Sequence, residues 1–426
     1  MTSGERGLRV AVVTRAIYPL HGIGGLERAT HDLVRHLLPH GVHVHVITQP
    51  GDVAAAAESL PSPQVTWHLV PYRTFPFAGR RGTTILDRST AYPLFGYRAG
   101  REAERLVRAG EVDIVLANGA SGLGYALARG RDPGGTQPLV LNPHGLEEFG
   151  GPDTDFGGRR AKRLAYGVLR AAVRRTAAAA DAVIATDRVL APVISRHLRV
   201  PERRIRLVPN AVDIPRCDAL ASPEDGRRIR RESGLDASVP VLLSVGRLEA
   251  NKGLDVLAGA LATLLDLPWR WVVVGDGPHR SQLNAQVEEA GIGGRTTLCG
   301  RVDDATLHAW FEAASLFVHP TRYEGSSIVT LEAMTHRLPV VATTAGGLPD
   351  KVRPGDTGWL VPPGDGAALS AALRSALASG AKLATMGLAG RALVEQSFSW
   401  TSSAARMMDV FAELTDRPAL PKVRTP

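Results

Sequence analysis

Short runs of aliphatic and β-branched residues recur along the chain, most of them followed by turn residues and then a longer segment of helical spacing. In the first half, LRVAVVT (8–14), VHVHVIT (42–48), VDIVLA (112–117), PLVLN (138–142) and DAVIAT (181–186) read as buried strands. Strand, turn and 3.6-periodic segment in that order predict βα units and a parallel sheet. Val44 and Val46 alternate with His43 and His45, which places the two histidines on a half-exposed face. Without acidic or cysteine neighbours at ligand spacing, they read as structural.

A polar, turn-rich stretch interrupts the pattern. Residues 214–238 predict a linker and a first helix between an N-terminal domain, 1–213, and a C-terminal domain, 239–396. In the latter, PVLLSVG (240–246), WVVVG (271–275), SLFVHP (315–320), PVVAT (339–343) and GWLVP (358–362) repeat the strand-then-turn pattern. Residues 397–426 predict a terminal helix and a frayed tail. The fold class expected is α/β: two doubly wound, Rossmann-like domains facing across a cleft, with ligands beyond the carboxyl ends of the strands.

Composition narrows the class. With 44% hydrophobic and 22% charged residues over 426 positions, the chain is globular rather than disordered. Cys217 and Cys299 cannot form a disulfide framework, and without partnering histidine clusters they do not read as a metal site. Arginines interrupt the first apolar stretch, and no run of 18 uncharged apolar residues occurs. A soluble, cytoplasmic protein is therefore expected. The net charge of +8 is concentrated in the first half: residues 1–213 hold 28 Lys and Arg against 19 Asp and Glu, and residues 214–426 hold 22 against 23. Either the first half meets something anionic, or arginine simply serves as the general solvated charge. No nucleic-acid-binding module accompanies it.

Candidate chemistry gathers after the predicted strands. Gly22, Gly24 and Gly25 in HGIGGLE open a helix, where backbone N–H groups can approach a phosphate, although GxGxxG is absent. VGRLEANKGLD (245–255) sets Arg247 and Lys252 at a strand end, two cations suited to a diphosphate on which charge grows as it leaves. RYEGSSIVTLEAM (322–334) carries Glu324 and Glu332 around Gly325, Ser326 and Ser327. A helix starting near Ser326 would offer backbone and hydroxyl donors to phosphate oxygens, and the carboxylates would accept from sugar hydroxyls. His144, in LNPHGLEEF, follows a predicted strand and is suited to hydrogen-bond a substrate hydroxyl; a structural histidine is the plain alternative.

Together GGLE (24–27), PHG (143–145), VPNAVD (208–213), VGRL…KG (245–253), GDGP (275–278) and EGSSIVTLEAM (324–334) resemble the family 4 glycosyltransferases of the GT-B fold, in the family's order over nearly the whole chain. The resemblance implies retaining transfer of a hexosyl unit from a UDP- or GDP-linked sugar to a hydroxyl acceptor in glycan, glycolipid or glycoconjugate synthesis, with no cofactor and no obligatory metal. It implies that Arg247 and Lys252 hold the diphosphate, Glu324 the donor-sugar hydroxyls and Glu332 the ribose. Gly24 and Gly25 would approach the phosphate from the first domain, and His144 would lie beside the transferred sugar. Ser327 departs from the Gly or Pro often found there, which bears on the shape of the phosphate loop. With no protein nucleophile evident, front-face attack by the acceptor is expected.

Three alternatives stand beside this reading. A metal-dependent GT-A enzyme would use a DxD, and Asp153-Thr154-Asp155 has that spelling, but no strand run directly precedes it. A GT-B-like nucleotide-sugar epimerase would need no acceptor. A two-lobed, non-enzymatic ligand-binding protein shares the gross architecture. Residues 159–175 hold seven cations (Arg159, Arg160, Lys162, Arg163, Arg170, Arg174, Arg175) and no acid. On a helix, Leu164, Val168 and Ala172 form an apolar row beside Ala165, Leu169 and Val173. Either the arginines are merely solvated, or they dock on anionic lipid at the inner face of a membrane and bring a lipid-linked acceptor to the site.

Overall fold

A computed structural model describes residues 7–21, 25–73, 83–132, 136–144, 146, 149 and 166–416. The chain divides into two compact units, Met1–Asn210 with Trp400–Pro426, and Ala211–Ser399.

The first unit is built on a seven-stranded parallel sheet. Its strands are β1 (Arg9–Val13), β2 (His43–Thr48), β3 (Val65–Leu69), β4 (Ile114–Asn118), β5 (Leu139–Asn142), β6 (Ala182–Ala185) and β7 (Ile205–Leu207), in the order β3-β2-β1-β4-β5-β6-β7. The inner strands β4, β5 and β6 are buried at every position, as parallel strands covered by helices on both faces must be. The order reverses between β1 and β4, the switch point at which such sheets bind ligands.

The second unit repeats the plan with β8 (Val241–Val245), β9 (Arg270–Val274), β10 (Thr296–Gly300), β11 (Leu316–His319), β12 (Val340–Thr343) and β13 (Gly358–Val361), ordered β10-β9-β8-β11-β12-β13. Its switch point lies between β8 and β11. Val241, Leu243, Phe317 and Val340 pack on one side of the sheet, and Leu242, Trp271, Val318 and Val341 on the other. Burying two apolar faces removes enough surface from water to hold a domain of this size.

The sequence pattern missed three strands, β3, β7 and β10, and each stands at an edge of its sheet. Partial cover at an edge lets polar residues into these three, and none of them has a buried position; the remaining edge strand, β13, keeps the apolar run Trp359–Val361. The segment expected as a linker and a first helix holds two helices, Ile214–Leu220 and Pro223–Glu232, within the second unit. The latter opens with a capping box, in which Ser222 and Asp225 satisfy each other's backbone N–H groups. The terminal helix Trp400–Thr415 returns to the first unit. There Trp400 stacks on His36 with ring centroids 6.4 Å apart, Ser403 Oγ donates to Pro209 O at 2.7 Å, and Glu413 pairs with Arg206.

The basic segment differs from its predicted face. Helix Gly167–Ala179 buries Leu169, Ala172, Val173, Thr176 and Ala177, whereas Val168 is 59% exposed. Arg174 donates from Nε to His197 O at 2.8 Å and lies over the Phe149 ring, so this cation is partly committed within the unit. Residues 159–165 lie outside the described residues. Among the described residues, no helix is long and apolar enough to cross a membrane.

Candidate active site

Lys252 reaches its position because two loops are tied together. One follows β8 and the other follows β11, its neighbour across the switch point. The β8 loop ends in a single 3₁₀ turn, Ala250–Lys252, closed by Gly253 at φ +64°. A side chain at Gly253 would stand 2.1 Å from the carbonyl oxygen of Pro320, so only glycine allows this approach. From the β11 loop, Thr321 Oγ1 and the Arg322 N–H both donate to Asn251 O, at 2.9 and 2.7 Å.

The Lys252 Nζ then donates to Glu324 Oε2 at 2.8 Å, and His319 Nε2 lies 2.8 Å from the same oxygen. The other carboxylate oxygen accepts from the Gly325 N–H at 3.2 Å. Burial alone would raise the Glu324 carboxyl. The hydrogen bond and electrostatic pull of His319, with the Lys252 ammonium, outweigh it and hold the group far below the usual carboxylate range. The result is a fixed carboxylate beside a fixed cation, at the carboxyl ends of two central strands.

Helix Ile328–Thr335 begins immediately after this carboxylate, with Ser327 as its N-cap. Its first N–H groups have no partners within the helix and favour an anion. Ser327 has φ −64° and ψ 101°, an ordinary extended conformation, so the loop does not require Gly or Pro there. Its hydroxyl lies 2.8 Å from Thr330 Oγ1 in a buried contact. The hydroxyl expected to face a phosphate is turned into the fold instead. Ser326 keeps its hydroxyl at the surface of the loop, 3.0 Å from Lys351 Nζ.

Arg247 is 71% exposed and binds Glu249 through Nε at 2.7 Å. Glu332 sits one turn into the helix beside Cys217, whose thiol is pushed up by burial and by this carboxylate. In the first unit, Gly25 is the exposed first residue of helix Gly25–Leu37. Gly22, Gly24, Gly145, Asp153 and Asp155 lie outside the described residues. Among the described residues, no group of three or more His, Cys, Asp and Glu side chains could hold a metal ion.

His144 follows β5 in the left-handed region, φ 59°, with its N–H donated to Asn142 Oδ1 at 3.1 Å. It lines a concavity at the carboxyl ends of β4 and β5 with Thr30, Asn118, Asn142, Trp400 and Met407. Asn118 is fixed by donating to Thr14 Oγ1 and Thr30 Oγ1 at 3.2 and 3.0 Å. Burial lowers the imidazole to about 4, so it is neutral near pH 7.

Sequence reasoning missed His319 and Lys351. His319 had a usable signal, since it ends a predicted strand at the sheet edge where ligands gather. Lys351 had none, because a lysine four residues beyond an AGG turn reads as a surface cation.

Residues 23–216 match the model of Glycosyltransferase Family 4, and residues 225–393 match that of Glycosyl transferases group 1. The chain belongs to the family 4 glycosyltransferases. A D-inositol 3-phosphate glycosyltransferase of Xylanimonas cellulosilytica is 32% identical over 246 residues, 56% of this chain and 58% of that protein. This match spans little more than half of that relative's length. A D-inositol 3-phosphate glycosyltransferase of Catenulispora acidiphila is 29% identical over 96% of both chains. A GDP-mannose-dependent alpha-(1-6)-phosphatidylinositol monomannoside mannosyltransferase of Mycolicibacterium smegmatis is 28% identical over 79% of this chain and 85% of its own.

Among solved structures, sucrose-phosphate synthase of Thermosynechococcus elongatus superposes with a TM-score of 0.73, at 24% identity over 96% of this chain and 99% of that one. HepE of Anabaena, solved with UDP, gives 0.70 at 20% identity, over 96% of this chain and 100% of that one. The two-unit α/β architecture of this family 4 glycosyltransferase is therefore GT-B.

Proposed function

We propose that this glycosyltransferase moves a hexosyl unit from a nucleotide diphosphate sugar to a hydroxyl acceptor with retention of configuration and without an obligatory metal. The observation that carries the reading is the Lys252–Glu324–His319 constellation at the switch point of the second sheet, immediately before a helix N-terminus. A diphosphate needs cations and N–H donors, and a sugar needs fixed acceptors; this locus supplies both. HepE was solved with UDP, and the Mycolicibacterium relative is named as GDP-mannose-dependent, which favours a UDP- or GDP-linked donor.

In this reading Lys252 and Arg247, once released from Glu249, neutralise the leaving diphosphate. Glu324 orients the sugar, and Glu332 accepts from the ribose. The acceptor hydroxyl attacks the anomeric carbon on the face the diphosphate leaves. The bond to the diphosphate oxygen breaks as the bond to the acceptor oxygen forms, and the acceptor proton passes to the departing phosphate. Catalysis then comes from positioning and leaving-group stabilisation. A lipid-linked acceptor fits the Mycolicibacterium relative's name and the basic segment 159–175, which would meet an anionic membrane surface on the cytoplasmic side.

The test is the anomeric configuration of the product, read by proton NMR after transfer from an α-linked donor in excess EDTA. An α-linked product formed undiminished by EDTA is expected. A β-linked product contradicts retention, and loss of transfer restored by Mg²⁺ or Mn²⁺ contradicts metal independence.

A further inference from the structure

Lys351 is one of the largest fully buried side chains of the second unit, 1% exposed. It follows the 3₁₀ turn Leu348–Asp350, and its Nζ donates to Ser326 Oγ at 3.0 Å and to Ser327 O at 3.1 Å. Two further contacts from the same segment reach the same loop. The Gly347 N–H donates to Gly325 O at 3.2 Å. Gly346, at φ +53°, lies so close to Glu324 O that a Cβ there would stand 1.8 Å from it.

These contacts fix the polarity of the loop. A trans peptide is planar, with its C=O and the following N–H pointing in opposite directions. Because Gly325 O is turned back to Gly347 and Ser327 O to Lys351, the N–H groups of Ser326 and Ile328 point away from the 346–351 segment. The Ser326 hydroxyl obeys the same logic. A hydroxyl has one proton and two acceptor lone pairs, and the ammonium occupies one of those lone pairs. The hydroxyl proton is thereby directed away from Lys351, and among the described residues no acceptor meets it. Two N–H groups and one O–H thus face outward from a loop whose acceptors face inward. Such an arrangement selects an anion with several oxygens.

We propose that Lys351 is a positioning residue for the donor diphosphate: from beneath the Glu324–Ser327 loop it holds the carbonyls back and aims Ser326 and the helix N-terminus at phosphate oxygens. This rests on the donor reading given above. Lys351 does not touch the donor; it acts through the loop.

The experiment measures binding of UDP, UMP and uridine by calorimetry to the wild-type protein, Lys351→Met and Ser326→Ala, with GDP, GMP and guanosine in parallel. The series whose diphosphate the wild type binds is used. Lys351→Met should weaken the diphosphate by roughly ten- to a hundredfold, the range of a hydrogen bond to a charged group. It should weaken the monophosphate less and leave the nucleoside unchanged. Ser326→Ala should weaken the diphosphate in the same order, and adding it to Lys351→Met should cost less than the product of the two effects, because both act through one hydroxyl. Equal losses for nucleoside and diphosphate would make Lys351 merely structural and overturn the inference, as would unchanged diphosphate affinity. If Lys351→Met does not fold, wild-type diphosphate affinity in Ser326→Ala overturns it. A wild type that binds neither diphosphate removes the donor reading, and this inference with it.

Discussion

Lys252 and Glu324, 72 positions apart in sequence, meet at 2.8 Å where the strand order of the second sheet reverses. Neither residue lies in an α-helix or a strand; Lys252 ends the 3₁₀ turn Ala250–Lys252. Each sits on a loop beyond a buried strand, and the loops are joined through Asn251 and Thr321. The pair therefore reports the register of β8 against β11 as much as it reports chemistry.

Removing the cation should be costly for turnover. Lys252→Ala is expected to lower kcat/KM by ~10²–10³, the usual loss for one preorganised charge donor. Arg247→Ala should also lower turnover, but should leave Tm essentially unchanged, because a side chain 71% exposed contributes little to stability. Steady-state kinetics with thermal melts of both variants check this. Normal turnover in folded Lys252→Ala would remove it from the diphosphate.

The two carboxylates should separate kinetically. A ribose contact is similar in ground and transition states, so Glu332→Ala should raise the donor KM more than it lowers kcat. Glu324→Ala should lower kcat, because its carboxylate is held ionised against Lys252 and His319 where the reacting sugar would lie. The opposite pattern means that the roles are exchanged.

Stability should fall on acidification, with a traceable share from His144. Its native imidazole titrates at about 4 instead of the ordinary 6.5. Between those values the unfolded chain binds a proton that the native protein does not. The contribution is complete above about pH 6.5 and is lost as the pH falls towards 4. His144→Asn, which tolerates the left-handed backbone, should show a shallower fall in Tm from pH 7 to 4.5 than the wild type. Parallel curves would mean that His144 is accessible to protons in the native state.

The central strands were legible in the sequence because parallel strands covered on both faces need runs of apolar residues; β4, β5 and β12 are buried throughout and apolar up to their last residues, Asn118, Asn142 and Thr343. The edge strands β3, β7 and β10 were not legible, since partial exposure lets polar residues into the run. The spacing of Glu324 to Glu332 and the pair Arg247 and Lys252 marked the site, but spacing does not fix side-chain direction. It could not show that Ser327 turns inward to Thr330, that Arg247 rests on Glu249, or that Lys351 is buried beneath the loop. The first two are local side-chain choices that spacing leaves open, and the third depends on a contact between segments 25 positions apart.

The most direct test of the central claim is a donor screen: purified protein in excess EDTA with UDP-, GDP- and dTDP-linked sugars, with nucleoside diphosphate release measured with and without candidate hydroxyl acceptors, including lipid-linked ones. The account predicts release from a UDP- or GDP-linked sugar that rises on adding an acceptor and falls by ~10²-fold or more in Lys252→Ala. Conversion of the donor to an epimer without diphosphate release, or release indifferent to Lys252, would contradict it.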